Sequence, residues 1–310
     1  MNNKVKAIAF GAIFLSVGLC AKLGTAAIFS EKEDKAVITA NIAEALPSEN
    51  QAVEDILEIP GNKEPKTPDE LNIQAGIVID LSSGEKILSV NKTKRWPLAS
   101  VSKMMASIVA LEEMDLKKEI TFSENAINTE GVAGSFQEGE IYTAEDLVYA
   151  MMVVSSNDAA VALMESMPEG EFVGLMNAKA EELGMVNTYF KEPSGLSMLN
   201  QSTANDVSLM LEYAWRNHPE LFSISSKKTT LITEINTGLK VRLTNINALA
   251  SRYDFLGGKT GYTEIAGENL AAVFSIDNKP TAIIILGAED RVVETETIIS
   301  FINNDINSSN

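Results

Sequence analysis

The chain has 310 residues, a formal net charge of −18 at pH 7, one cysteine and one histidine. Its acidity argues against nucleic acid, which needs a basic footprint, and against docking on an anionic membrane through the protein's surface. Cys20 alone builds neither a disulfide framework nor a thiolate metal site, and His218 alone gives a histidine-based zinc site too few ligands. With 45% apolar and 22% charged residues, the length accommodates one large domain plus extra segments.

Lys4 and Lys6 precede an apolar run from Ala7 to Ala21, which Lys22 interrupts and Leu23 to Phe29 continues. Residues 1–29 read as a signal peptide or a single N-terminal membrane anchor. Thr25-Ala26-Ala27 is a weak cleavage site, so the uncleaved anchor is preferred. The lysines before the run place the amino end inside and the rest outside. Leu19 is too bulky for a lipoprotein site at Cys20, which reads as a small apolar membrane residue. Residues 30–70 are acidic and punctuated by Pro47, Pro60, Pro65 and Pro68, the pattern of a solvated, disordered linker. A folded domain is expected over 71–303, with a polar tail over 304–310.

Within that domain, Ile73 to Leu81 and Lys86 to Val90 read as strands joined at Ser82-Ser83-Gly84-Glu85. Leu98, Val101, Met104, Met105, Ile108, Val109 and Leu111 keep a helical period to about Met114. A short extended piece follows over 120–123, then a polar loop over 130–140. Thr143 caps a helix over 144–154, and Asn157 and Asp158 are candidate caps for another over 159–167. Further helices are expected over 171–183, from Ser202-Thr203-Ala204 to about Asn217, and over 292–302. Strands are expected over 229–235, 239–243, 269–276 and 281–286. Strands at both ends with a helical block between them predict an α+β layered domain.

Ser100 and Lys103 lie three apart, hence on one helix face. A lysine buried beside a serine loses basicity and can take the serine's proton. Alone, the pair reads more readily as an ordinary helix with a surface lysine. Ser155-Ser156-Asn157 follows an apolar helical run, where it can simply join two helices, or present a hydroxyl and an amide to the first pair. Lys259-Thr260-Gly261 follows Gly257-Gly258 just before the last apolar strands. His218 precedes Pro219 at a helix end, so a surface or cap role is expected and a Ser-His-Asp triad is left one badly placed base.

The order Ser-x-x-Lys, Ser-x-Asn, Lys-Thr-Gly resembles that of the low-molecular-mass penicillin-binding proteins, the serine D-Ala-D-Ala carboxypeptidase and endopeptidase family within the β-lactamase/transpeptidase-like group. The resemblance runs from about Asn72 to Phe301 and includes Gly134-Ser135, Glu138-Gly139-Glu140 and Ala266-Gly267. It implies an antiparallel sheet flanked by helices with a helical lobe. It implies Ser100 as nucleophile, Lys103 as general base and Ser155 as proton relay to the leaving amine. Asn157 would hold the substrate amide, Lys259 and Thr260 of the Lys259-Thr260-Gly261 strand the terminal carboxylate. Backbone N–H groups of Ser100 and Tyr262 would form the oxyanion hole, and Arg291 could assist with the carboxylate. The implied activity is carboxypeptidase trimming of peptidoglycan stem pentapeptides at the extracytoplasmic face of a bacterial envelope, without metal or other cofactor. β-Lactam antibiotics would be covalent inhibitors.

Three departures bear on this reading. The chain ends soon after the closing helix, so membrane attachment is expected at the amino end. Glu192-Pro193-Ser194-Gly195-Leu196-Ser197, followed by Ser202-Thr203-Ala204, looks closer to the endopeptidase branch, making cross-link cleavage the alternative. Glu192 sits near where class A β-lactamases carry Glu-x-x-Leu-Asn, yet Gly195 and Leu196 stand where Leu and Asn are needed. An inactive wall-binding protein is a further alternative, disfavoured by the intact motif residues.

Overall fold

Two alternating apolar runs open the folded region. The computed structural model describes residues 71–131 and 134–309, and the runs form β1 (Ala75–Asp80) and β2 (Lys86–Val90). A two-residue β3 (Trp96–Pro97) leads into a 3-10 turn at Ala99–Val101 and then α1 (Ser102–Glu113). Ser100 therefore sits on a tight turn ahead of the helix, rather than inside it. Next come β4 (Glu119–Thr121), α2 (Glu124–Ile127) and β5 (Ile141–Thr143). The helical lobe continues with α3 (Ala144–Val153), α4 (Asn157–Glu165) and α5 (Glu171–Glu182). β6 (Gln201–Ser202) pairs with β3 and precedes α6 (Ala204–Asn217) and α7 (Pro219–Ser225). A hairpin of β7 (Thr229–Thr233) and β8 (Lys240–Thr244) follows. The chain then runs through β9 (Phe255–Thr263), β10 (Gly267–Ile276), β11 (Lys279–Ala288) and α8 (Arg291–Ser309).

Hydroxyl side chains start the helices. Ser123, Thr143, Ser156 and Thr203 each accept a backbone N–H three residues on, satisfying one of the donors that every helix start leaves open. Ser156 thus caps α4, in place of the expected Asn157 or Asp158. The consequence is functional, because the Asn157 side chain stays free to point elsewhere. α2, α7 and β5 are too short to carry a periodic signal. α8 continues to Ser309, so the last residues extend the helix instead of forming a separate tail.

The main sheet is antiparallel, in the order β2–β1–β11–β10–β9. Both faces are covered. Ala75, Ile77, Ala271, Val273, Ile284 and Leu286 face the helical lobe. Val78, Leu270, Phe274, Ile283 and Ile285 pack with Ile298, Ile299 and Ile302 of α8. The period of two explains why these strands read as nearly continuous apolar runs. It also orients β9: Lys259 pairs with Ala271 and Thr260 with Leu270, so Lys259 turns toward the helical lobe and Thr260 toward the α8 side.

Polar clips join this sheet to the Ser100 turn. Asn269 is fully buried; its Nδ2 donates to the Pro97 carbonyl (2.8 Å), and its Oδ1 accepts from the Gly287 N–H (2.7 Å). Trp96 Nε1 donates to the Ala266 carbonyl at 2.7 Å. Among the described residues no helix is long and apolar enough to cross a membrane; the expected anchor over 1–29 and linker over 30–70 lie outside them. Asn269→Ala leaves the part-buried Pro97 carbonyl and Gly287 N–H without these partners, and should cost about 1–3 kcal/mol in a denaturant-unfolding measurement.

Candidate active site

The site is built on one strained peptide. Ala99 has φ 47°, a left-handed conformation that costs a non-glycine residue about 1–3 kcal/mol and concentrates at functional sites. The Ala99–Ser100 peptide lies between two glycines. A methyl group added at Gly195 would sit 1.9 Å from the Ala99 carbonyl oxygen and 2.9 Å from the Ser100 nitrogen. One added at Gly261 would sit 2.8 Å from the Leu98 carbonyl oxygen and 2.9 Å from that same nitrogen. Gly195 has φ +86° besides. These two backbones can approach the turn only because they carry no side chain.

Lys103 lies one turn on, fully buried. Its Nζ is 2.9 Å from Ser100 Oγ, 2.6 Å from Asn157 Oδ1 and 2.5 Å from the Ser194 carbonyl oxygen. Burial pulls its pKa down to about 7, although Glu192 and Asp158 favour the charged form. A neutral amine has two N–H bonds and one lone pair. Asn157 Oδ1 and the Ser194 carbonyl can only accept, and the Asn157 amide is held in that sense because its Nδ2 donates to the Glu130 carbonyl at 2.6 Å. The lone pair is therefore left facing Ser100, the one partner of the three with a proton to give. This is the arrangement that activates a serine.

The second motif and the strand motif meet beside this pair. Ser155 is held at φ 60°, between α3 and the Ser156 cap. Lys259, also buried, donates to Ser155 Oγ at 2.9 Å and to the Thr260 carbonyl at 2.7 Å. Burial and the repulsion of Lys103 and Arg291 push the Lys259 amine well below its ordinary pKa. Thr260 is buried and Gly261 packs on the Ser100 turn, whereas the Tyr262 side chain is 60% exposed at the strand's end.

Other residues have clear places. Arg291 donates to the carbonyls of Gly261 (2.7 Å) and Asn269 (3.2 Å) and pairs with Glu268 (3.3 Å), so it props the Gly261 end of β9. The Glu192 carboxylate accepts from the N–H groups of Ser194, Gly195 and Ser197 and from the Ser194 hydroxyl. His218 caps the end of α6, its N–H donating to the Ala214 carbonyl at 2.8 Å, but it is not a surface residue: its side chain is buried, with Nε2 2.8 Å from Glu112, in a network with Lys179 and Tyr213. The sequence predicts Asp158 only as a cap. It lies buried beside Lys103 with Oδ1 unpartnered among the described residues, and burial raises its pKa to about 6. Among the described residues, no group of three or more His, Cys, Asp or Glu side chains is placed to share a metal ion.

A family model described as D-alanyl-D-alanine carboxypeptidase matches residues 62–290. The chain belongs to this family of serine D-Ala-D-Ala peptidases. It is 31% identical to the D-alanyl-D-alanine endopeptidase of Escherichia coli (strain K12), over 71% of this chain and 72% of that protein. It is also 31% identical to the D-alanyl-D-alanine carboxypeptidase DacF of Bacillus subtilis (strain 168), over 69% and 57% of the two chains. A penicillin-binding protein of Listeria monocytogenes, solved with ampicillin bound, superposes with a TM-score of 0.66 at 28% identity. That match covers 74% of this chain and 97% of the other. The α+β fold, with its antiparallel sheet and helical lobe, is that of the family.

Two predictions follow from the geometry. Gly195→Ala forces the Ser100 turn out of place and should slow acylation by a β-lactam about a hundredfold, read as the second-order rate of fluorescent penicillin labelling. Asp158 has a folded pKa above its unfolded value of 3.8, so its contribution to stability is largest below about pH 4 and falls as pH rises through about 6. Asp158→Asn should therefore unfold with about 1–2 kcal/mol more stability than wild type at pH 7.5 and with no gain at pH 4.

Proposed function

We propose that this protein is a serine D-Ala-D-Ala carboxypeptidase that trims peptidoglycan stem pentapeptides through a Ser100 acyl-enzyme. One observation carries the reading: the two acceptor-only partners of Lys103 Nζ leave its lone pair aimed at Ser100 Oγ. Ser100 Oγ attacks the carbonyl carbon between the two D-alanines while Lys103 takes its proton. The N–H groups of Ser100 and Tyr262 receive the oxyanion, donors of a kind worth about 3–4 kcal/mol in the transition state. Ser155 passes a proton to the leaving amine as the C–N bond breaks, and D-alanine departs. Water then hydrolyses the acyl-enzyme.

Asn157 holds the substrate amide. Lys259 takes the terminal carboxylate, whose negative charge offsets the burial that makes the Lys259 amine weakly basic. Arg291 acts indirectly, by fixing the strand end. Residues 1–29 anchor the protein to the membrane with the catalytic domain outside, 30–70 serve as tether, and β-lactams are covalent inhibitors.

Cross-link cleavage is the second reading. It is supported by the likeness to the E. coli endopeptidase and by the Glu192-Pro193-Ser194-Gly195-Leu196-Ser197 segment. A class A type of β-lactamase is disfavoured because the Glu192 carboxylate is occupied by four donors of its own turn and has no oxygen to spare for a deacylating water.

The soluble fragment starting near Asn72 should give a stable fluorescent-penicillin band on a denaturing gel, and Ser100→Ala should give none while remaining folded. Labelling that survives in Ser100→Ala removes Ser100 as nucleophile. D-Alanine release from pentapeptide, against cleavage of cross-linked muropeptides, chooses between the two peptidase activities. Because the neutral form of Lys103 is the base, the labelling rate should fall as pH drops through about 7. A rate flat from pH 5 to 8 would contradict that role.

A further inference from the structure

Between Glu192 and Asn200 the chain makes a turn that the acylation mechanism uses at one atom only, the Ser194 carbonyl. Nothing in the turn's own helix or strand content fixes that atom, because the segment has neither. Two side chains do. Asn200 clamps the base: its Oδ1 accepts from the N–H groups of Lys191 (2.8 Å) and Glu192 (3.3 Å), and its Nδ2 donates to the Glu192 carbonyl (2.8 Å) and Ser102 Oγ (3.0 Å). Glu192 shapes the tip. One carboxylate oxygen accepts from the Ser194 N–H and hydroxyl, both at 2.5 Å; the other accepts from Gly195 N–H (2.8 Å) and Ser197 N–H (3.1 Å). Four donors converge on two oxygens, which is the full capacity of an ionised carboxylate and more than a protonated one can satisfy.

We propose that Glu192 is a positioning residue of the active centre: its carboxylate shapes the turn that fixes Lys103 Nζ and seats the Ser100 peptide, and it supplies negative charge beside that amine. The proposal rests on the acylating reading of Ser100 and Lys103. Two consequences of the geometry carry it. The Ser194 carbonyl that takes one Lys103 N–H is two residues from the carboxylate and directly follows an N–H that Glu192 binds. Gly195, whose N–H Glu192 also binds, is the residue whose backbone presses on the Ala99–Ser100 peptide. One side chain thus sets both the direction of the lysine lone pair and the back wall of the serine turn.

The charged groups facing Lys103 are Glu192 from this turn, Asp158 from α4 and Lys259 from β9. Glu192 is the larger of the two acidic influences favouring the charged amine. Removing its charge while keeping its size should therefore move the Lys103 titration down. An amide is a poor substitute in geometry too, since its nitrogen would meet N–H donors where an oxygen is required. A shortened acid keeps the charge and loses the reach.

The experiment is the second-order rate of fluorescent penicillin labelling from pH 5 to 9 for wild type, Glu192→Gln and Glu192→Asp, with a thermal melt of each. In Glu192→Gln the plateau rate should fall at least about tenfold, and the acidic limb should move to lower pH by about half a unit or more. In Glu192→Asp the plateau should fall while the limb stays near its wild-type position. A purely structural role would lower the melting temperature and leave the limb in place, so an unmoved or raised limb in Glu192→Gln overturns the proposal. If Glu192→Gln does not fold, Glu192→Asp decides: a wild-type plateau in that variant overturns it. A folded wild type that is not labelled at any pH instead overturns the acylating reading beneath it.

Discussion

The constraint from which the site follows is the burial of the Lys103 amine. An ammonium group removed from water loses several kcal/mol of hydration unless it is paired. Among the described residues no carboxylate is hydrogen-bonded to it. Its contacts are one hydroxyl, one amide oxygen and one backbone carbonyl, which suit a neutral amine better than a charged one. The partners come from three separate parts of the chain: the turn before α1, the first residue of α4, and the 192–200 segment. The basicity of the lysine is thus a property of the whole packing, and any change that admits water or moves one acceptor alters it.

Backbone strain is the counterpart. Ala99, next to Ser100 of the first motif, and Ser155 of the second are both non-glycine residues in left-handed conformations. Such residues persist only where surrounding structure over-determines them. For Ala99 the surroundings are Gly195 of the 192–200 turn, and Gly261 with the Asn269 and Trp96 clips, which tie the turn to the central sheet. For Ser155 they are the Ser156 cap and the Lys259 amine. The sheet, buried on both faces, provides the rigidity that the short turns lack.

Much of this was legible in the sequence. The strands over 73–81, 269–276 and 281–286, and the helices from Thr143, Glu171 and Ser202-Thr203, carried clear periods and caps. The triplets around Ser100, Ser155 and Lys259 were visible as a spaced set, and the structure brings them together. What was not legible depends on contacts between distant segments. The 3-10 turn at Ser100 is hidden within the helical period of Leu98, Val101 and Met104, because its geometry comes from two glycines 95 and 161 positions on in the chain. Ser156, rather than Asn157, caps α4 because the Asn157 amide is claimed by Lys103 and the Glu130 carbonyl. The place of His218 before Pro219 predicted a surface or cap role, and the cap half holds. The burial of its side chain follows from Glu112, on another helix, which no local pattern connects to it. Asp158 was hidden for the same reason, since a polar residue in a helix's first turn ordinarily faces water.

The two buried amines also explain each other. Lys103 and Lys259 both titrate below their ordinary range, and each makes the other's protonation harder. Two buried cations in one cleft are unfavourable, so the unliganded site holds fewer protons than two separate lysines would. An anion docking at Lys259, as the proposed mechanism has it, stabilises the charge there first, because it lies against that amine. The proton then favours Lys259, and Lys103 keeps its lone pair for Ser100. Substrate recognition and base activation would in this way be one electrostatic event, and the free carboxylate of the substrate would matter to the rate of acylation as well as to binding.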